Sequence, residues 1–394
     1  MVTVIKGTDN PETISGTSHA DNIYGYGGDD VLKGNGGSDF LFGGSGNDTL
    51  IGGVGVNDYW GDSGNDTFQM SVRGSAGGSD DLIHDFAQGA DRIDVSRWGI
   101  SDLEQVRKLL YVDSHGDAAF NAFFDGFDHV LRIKGISPGA LTSSDFVFSH
   151  SGPVNETGTS FDDVLFGSSG NDTLDGKGGR DLLLGGHGND TLTGGFGLDS
   201  YDGGQGFDTV SYAYSNEIVD VYLNRGVAIF GDGAREFLSS IEAVTGSSAG
   251  NWLTGSNGAN TLTGLAGNDI LKGLGGGDRL DGGGGADKLV GGGGDDVFVY
   301  SHLGDSTTAG SGRDTITDFA GGDKIDLTGL EAATGENFDF IGHTPFTHTA
   351  GEISFHVNNA GNTIVWLDSD GNGSADFAIQ LDGSHTLSAG DFIL

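Results

Sequence analysis

Apolar residues recur at every ninth position in three stretches of this chain. Over residues 7–69 the eighth position of successive nonapeptides reads Ile14, Ile23, Leu32, Leu41, Leu50, Tyr59 and Phe68. Over 158–211 it reads Leu165, Leu174, Leu183, Leu192, Tyr201 and Val210. Over 246–299 it reads Leu253, Leu262, Leu271, Leu280, Leu289 and Phe298. One inward residue between polar neighbours predicts a short strand at positions seven to nine of each unit. Positions one to six are rich in glycine and predict a turn whose glycines take positive φ. Two units then make one coil of a parallel solenoid, and stacked coils give a thin apolar core. The expected fold is all-β, a parallel β-roll built in tandem modules. A glycine-rich linker would not keep an apolar residue at every eighth position.

The sixth position carries the charge. It reads Glu12, Asp21, Asp30, Asp39, Asp48, Asn57 and Asp66 in the first block. In the second it reads Asp163, Asp172, Asp181, Asp190, Asp199 and Asp208, and in the third Asn251, Asn260, Asp269, Asp278, Asp287 and Asp296. Stacked coils bring these carboxylates to one strand spacing, about 4.8 Å. They repel at that distance unless a hard cation lies between them. Calcium suits the place, since it takes six to eight oxygens from carboxylates and backbone carbonyls. The expected ligands are the fifteen aspartates of this list, and the cofactor is Ca2+ in multiple copies. Asn57, Asn251 and Asn260 mark weaker or missing sites.

Composition narrows the partners. The 394 residues carry a formal charge of -39 with 76 glycines, 4 prolines and no cysteine. Nucleic acid needs a basic surface and is excluded as a default partner. No disulfide or thiolate site can form. No apolar run spans a membrane, and the opening MVTVIKGTDN lacks one fit for a signal peptide.

The repeats are interrupted in recognisable ways. Block one is followed by DDLIHDFAQGADRIDVS and block three by RDTITDFAGGDKIDLTGL, which share Asp-x-Ile-x-Asp-Phe and then Gly, Asp and Ile-Asp. The segments end in GALTSSDFVF and HTLSAGDFIL. These repeats predict a first module over 1–150 and a linker near 149–160. Blocks two and three fill 151–300 around an interruption at 212–245, read as a hairpin or bulged coils. A cap follows over 301–394. Ser101 and Glu104 predict a capped helix with Leu103, Val106 and Leu110 on one face, and 129–134 predict a strand.

The nonapeptides match GGxGxDxUx and resemble the repeats-in-toxin (RTX) family of calcium-binding β-rolls. The stretches FDFIGHTPFTHTAGEISF, IVWLDSDGNGSADFAIQL and LSAGDFIL resemble the C-terminal domain of the serralysin metalloproteases. The nonapeptides and closing segments also resemble repeat modules of secreted mannuronan epimerases. The resemblance implies a secreted, extracellular bacterial protein, exported by a type I system through an uncleaved C-terminal signal. It covers non-catalytic domains only.

Candidate chemistry elsewhere is sparse. A serralysin-like protease needs His-Glu-x-x-His, and the sequence has none. His343 and His348 fit a surface loop. GSSAG around Ser248 matches the nucleophile-elbow spacing but lies inside the nonapeptide frame. DSDGNGSADF places Asp368, Asp370, Asn372 and Asp376 at positions 1, 3, 5 and 9 of an EF-hand-like loop, with Ile379 where the bidentate Glu belongs. An Asx-rich hairpin turn is the alternative there. Tyr24, Tyr26, Phe40, Phe42, Tyr59 and Trp60 offer a sugar platform or, for Tyr59 and one or both of the phenylalanines, core. The expected function is therefore a non-catalytic calcium-binding protein. The alternatives are an alginate-like polysaccharide-binding or adhesive module and an unrecognised enzyme, a remnant of an epimerase or protease.

Overall fold

The structure, a computed structural model, describes residues 2–70, 77–124, 127–149 and 152–394; His150 and Ser151 of the expected linker lie outside them. The chain packs as two compact units, Met1–Gly206 and Phe207–Leu394.

In the first unit the nonapeptides form two parallel sheets that face each other. Alternate units feed alternate sheets, so partners lie 18 residues apart: Ile23 pairs with Leu41 and Leu41 with Tyr59, while Leu32 pairs with Leu50. Position-eight residues from Ile23 to Phe68 are fully buried. This happens because each strand sends only that one side chain inward, and the coil leaves no other space to fill. The two sheets differ in one respect. Strands such as Val31–Lys33 stop after three residues, whereas Asp21–Gly27 and Phe40–Ser45 run on into the following glycine turn.

A closing segment ends the first roll. Strand Ser79–Ile83 continues one sheet, and Phe127–Ile133 pairs parallel to it before a meander through Ala118–Phe124 and Leu110–Val112. The expected strand at 129–134 is thus present. The helix Leu103–Leu109 is present with its cap moved by one residue. Asp102 is the N-cap and accepts from the Gln105 N–H, while the Gln105 side chain returns to the Ser101 N–H. Glu104, expected in that role, pairs with Arg107 on the surface. The helix buries Gln105, Val106 and Leu109, and Leu110 begins a strand instead. Gln105 Nε2 donates to the carbonyls of Gly167 and Leu184 at 3.1 and 3.3 Å, so the helix lies on the second block.

In the second unit, residues 212–245 form an antiparallel meander, Val219–Tyr222, Val227–Phe230 and Arg235–Ser239. It stands in for coils, because Val219–Tyr222 then pairs parallel to the roll strand Trp252–Thr254. The roll proceeds through Leu253, Leu271 and Leu289 in one sheet and Leu262, Leu280 and Phe298 in the other, all fully buried. Strands Glu352–Val357, Thr363–Asp368 and Phe377–Leu381 form a meander that joins the roll at Thr315–Ile316. The terminal DFIL supplies the last strand, with Phe392 paired to Ile325 and buried.

Candidate metal centre

Position six forms two columns along each roll. The side chains are buried although nearly all are acidic. Behind the opening coil Oδ1 accepts the backbone N–H of the position-six residue one coil earlier: Asp39 from Asp21 at 2.9 Å, Asp48 from Asp30 at 2.8 Å, Asp181 from Asp163 at 2.8 Å and Asp296 from Asp278 at 2.8 Å. The second oxygen differs from rung to rung. Oδ2 of Asp30, Asp39, Asp48, Asp66, Asp181, Asp269, Asp278 and Asp287 is buried without a hydrogen-bond partner. A buried carboxylate oxygen with no donor is costly.

Position one shows what surrounds that oxygen. A Cβ on Gly34 would lie 2.4 Å from Asp39 Oδ2 and 2.5 Å from the Gly52 carbonyl oxygen; on Gly264, 2.4 Å from Asp269 Oδ2 and 2.5 Å from the Gly282 carbonyl. Gly185 stands likewise against Asp190 Oδ2 and the Gly203 carbonyl. The glycine is required because its missing side chain leaves a cradle between one carboxylate and the next coil's carbonyl. Both are hard oxygen donors, and the cradle fits calcium. Without a cation, burial pushes the carboxyls of Asp39, Asp278 and Asp287 up to about 6 and those of Asp66, Asp181 and Asp269 to about 7.

Not every predicted ligand has this setting. Thr17 donates its N–H and hydroxyl to Asp21 Oδ2, and Thr159 does the same for Asp163. Ser168 donates its N–H to Asp172 Oδ2 and its hydroxyl to Oδ1. Ser247 and Ser256 serve Asn251 and Asn260 in the same manner. All five Ser/Thr residues stand at position two of their unit. At the open rungs position two has positive φ instead, as at Tyr26, Asn35, Gly44, Lys177, Leu265, Leu274 and Gly283. That backbone flip aims the position-two N–H away from the carboxylate. Asn57 closes its own place differently: its amide donates to Asp81 Oδ1 at 2.8 Å.

The closing motifs extend the columns beyond the repeats. Asp91 accepts from Asp66 N–H at 2.9 Å and Asp323 from Asp296 N–H at 3.0 Å. Asp85 takes the N–H groups of Gly61 and Asp62 on its two oxygens, and Asp318 takes those of Gly291 and Gly292. The shared motif was visible in the sequence, but Asp91 lies 25 residues after Asp66, out of the nine-residue frame, and Asp323 lies 27 after Asp296, in frame but without the nonapeptide's glycines, so the repeat pattern did not place these aspartates in the columns.

The second predicted site lies in the hairpin turn between Thr363–Asp368 and Phe377–Leu381, with no flanking helix. Asp368, Asp370 and Asp376 offer carboxylate oxygens within 4.8 Å of one another. Asp368 accepts the N–H groups of Gly371 and Gly373, and Asp376 those of the Ser369 backbone and hydroxyl. Asn372 serves the turn, donating to Asp370 and accepting from the Ser374 N–H.

The aromatic cluster divides. Tyr59 is fully buried. Tyr24, Phe42, Trp60 and His84 stack face to face, with centroids 4.8, 4.6 and 4.0 Å apart. Tyr26 and Phe40 flank the stack and are exposed, and Phe42 is half-buried, so neither phenylalanine is the expected core residue. A sugar platform needs an exposed face.

The sequence matches two family models. The peptidase M10 serralysin C-terminal model covers residues 39–152 and 259–394, more than half the chain. The chain belongs to this family. The model of the RTX calcium-binding nonapeptide repeat (four copies) matches residues 6–41, 157–192 and 175–210. These repeats bind calcium, and the two kinds of domain fit a secreted calcium-binding protein. Among solved structures, the AlgE6R2 subunit of an Azotobacter vinelandii mannuronan C5-epimerase is 30% identical over 38% of this chain and 90% of that one, with a TM-score of 0.30. The AlgE6R3 subunit of the same enzyme is 30% identical over 36% and 80%, with a TM-score of 0.16. Extracellular lipase LipA from Serratia marcescens is 18% identical over 67% and 44%, with a TM-score of 0.25. No curated protein matches the chain. Among the described residues no helix is long and apolar enough to cross a membrane.

Proposed function

We propose that this family member is a non-catalytic calcium scaffold whose rolls fold on calcium outside a bacterial cell after type I export. The observation that carries the reading is the open rung, a buried carboxylate oxygen facing the next coil's glycine carbonyl across a space that only glycine leaves. The proposed ligands are Asp30, Asp39, Asp48, Asp66, Asp181, Asp190, Asp199, Asp208, Asp269, Asp278, Asp287 and Asp296. Asp21, Asp163 and Asp172 hold their coils through Thr17, Thr159 and Ser168. A further ion is proposed at Asp368, Asp370 and Asp376, with Asn372 shaping the turn. Affinities of extracellular modules, roughly 10⁻⁴–10⁻³ M, would leave the sites empty inside a cell and filled outside. Calcium titration of the full chain, followed by far-ultraviolet circular dichroism, tests the reading. A chain equally β-rich in chelator and in millimolar calcium would refute it.

A second reading, an acidic-polysaccharide module, draws on one feature. Arg132, Lys134, His115 and Tyr111 line an open groove on the first unit beside Asp113 and Asp117, with Arg132 paired to Asp80 and His115 to Asp113. Retardation of the calcium-loaded protein in an alginate gel separates it from a plain scaffold.

A further inference from the structure

The two closing motifs begin alike but differ in sign at one place. Asp80 precedes the column aspartate Asp81 in the first, and Arg313 precedes Asp314 in the second. Asp80 pairs with Arg132. Arg313 has no ion pair among the described residues, whereas Arg107, Arg180 and Arg279 each lie against a carboxylate. Its guanidinium donates to the Thr308 carbonyl, and its Nε has no acceptor. The side chain is half-buried, and burial lowers its pKa. A half-buried cation without a counter-ion is out of place in a chain of charge -39.

The loop before Arg313 fixes its position. Ser306 Oγ donates to the Ala378 carbonyl at 2.5 Å and accepts the Asp314 N–H at 2.9 Å, which ties both ends of this loop to the strand Phe377–Leu381. Ala378 pairs with Trp366 on the neighbouring strand. Arg313 and Trp366 thus come to line one open pocket of about 330 Å³, together with Thr308, Phe346 and turn residues 373–375. His356 packs on Trp366 with ring centroids 4.1 Å apart. Burial, His343 and Arg313 hold its imidazole below the ordinary value, so Arg313 carries the charge of the pocket. The acids of the adjoining turn are engaged within it: Asp368 by the Gly371 and Gly373 N–H groups, Asp376 by Ser369 and Asp370 by Asn372. We propose that this pocket binds a small aromatic carboxylate, with the carboxylate on Arg313 and the ring against Trp366 and Phe346. A guanidinium recognises a planar carboxylate through paired N–H donors. The volume is that of a small-ligand pocket, and its two aromatic walls offer apolar surface that a bare inorganic anion would leave unused.

The test uses the full chain in saturating calcium and radiolabelled benzoate, with binding read by equilibrium dialysis. The parent is expected to prefer benzoate to its uncharged isostere benzamide by about tenfold or more. Arg313→Gln is expected to lose about tenfold or more in benzoate affinity, whereas Arg107→Gln, on an exposed arginine of the first unit, should match the parent. Thr308→Glu, at an exposed position, supplies a carboxylate beside Arg313 and should weaken benzoate to a similar degree. Inorganic phosphate should displace benzoate poorly. A parent that binds no benzoate, or binds benzoate and benzamide equally, would overturn the proposal. Equal losses in the two arginine variants, or displacement by phosphate as effective as by benzoate itself, would do the same. If Arg313→Gln does not fold by circular dichroism, Thr308→Glu decides, and benzoate affinity unchanged from the parent overturns the site.

Discussion

The opening coil of each block and the coils behind it use the same nine-residue frame to opposite ends. In the opening coils a Ser or Thr at position two donates to the position-six side chain, as Thr159 does to Asp163 and Ser256 to Asn260. In the following coils position two flips to positive φ and the carboxylate loses that donor. The first arrangement gives one oxygen of the position-six side chain its donors from position two, although Oδ1 of Asp21 stays without one. The second leaves a buried carboxylate oxygen without a donor, as at Asp30, Asp39, Asp48, Asp66, Asp181, Asp269, Asp278 and Asp287. A block is therefore a first coil with donors of its own and cation-dependent coils stacked on it. One side chain per unit sets the difference, because a hydroxyl residue in the ordinary φ region and a positive-φ residue cannot share position two.

Removing calcium should have the largest effect. Each nonapeptide buries about one leucine, worth roughly 2 kcal/mol, against an ordering cost of about 1–2 kcal/mol for each of nine backbones. In chelator the coils behind each opening coil are expected to lose their strands cooperatively, residues 176–211 and 264–299 among them. Magnesium should substitute poorly because it demands tight octahedral geometry. Hydrogen exchange in chelator sharpens the comparison: amides of the Asp39 and Asp278 rungs should exchange freely. Protection that survives there at the calcium-loaded level would end the distinction between the two kinds of coil.

Substitution separates them more finely. Asp278→Asn should lower calcium affinity by about tenfold or more, since it removes a ligand charge from an open rung. Asp163→Asn should leave affinity unchanged. Calorimetric titration of both variants checks this, and an equal loss in the two would show that Thr159 does not seal its rung.

Much of this was legible in the chain. The nine-residue apolar period gave strand positions, the 18-residue coil and the core residues, because one inward residue per strand leaves no competing register. The acidic column was legible for the same reason. The division within it was not read, although its signal is present: Thr8, Thr17, Thr159, Ser168, Ser247 and Ser256 all depart from glycine at position two. Periodicity registers such departures as noise, whereas a hydrogen-bond inventory makes them the deciding feature. Asp81, Asp91, Asp314 and Asp323 escaped for another reason. Asp81 and Asp91 lie 24 and 25 residues after their column partners and fall out of frame, whereas Asp314 and Asp323 lie 27 residues on, in frame but after an extra unit that lacks the nonapeptide's glycines; the sheets keep all four in the column. The helix cap slipped by one because Ser101-x-x-Glu104 and Asp102-x-x-Gln105 both satisfy the spacing, and burial of Gln105 against the second block selects the latter.

Acid should partly replace calcium at the open rungs. Burial raises the carboxyls of Asp39 and Asp278 to about 6 and of Asp181 and Asp269 to about 7, from an ordinary value near 3.8. A carboxyl with a raised folded value holds its proton more tightly when folded. Its contribution favours folding below the unfolded value and is lost as pH rises through the folded one. In chelator these coils should therefore recover more strand structure at pH 5 than at pH 7.5. In calcium the order should reverse as protons compete for the ligands, with affinity falling as pH drops below 7. A far-ultraviolet circular dichroism signal in chelator that does not change between pH 5 and 7.5 would contradict the buried, unpaired state of these oxygens.

The smallest effect concerns position two itself. Leu265 and Leu274 hold positive φ, 77° and 81°, where an L side chain is strained. They tolerate it because the coil before them is an opening coil, with Ser247 and Ser256 eighteen residues earlier. One coil later the same position must be glycine. A Cβ on Gly283 would lie 2.0 Å from the Leu265 carbonyl oxygen, and one on Gly292 would lie 2.2 Å from that of Leu274. In the third block position two thus runs from hydroxyl residue to leucine to glycine; the first block follows the same order through Gly53 and then carries Asp62 at positive φ. Leu274→Gly should relieve strain and stabilise the calcium-loaded roll by about 1 kcal/mol or less, because the greater freedom of glycine in the unfolded chain offsets part of the gain. Gly283→Ala should cost more than that gain, since a backbone collision must be relaxed. Thermal melts of both variants at saturating calcium measure the pair. If Leu274→Gly destabilised the roll and Gly283→Ala were neutral, the steric order proposed for position two would be wrong, and the difference between opening and following coils would need another cause.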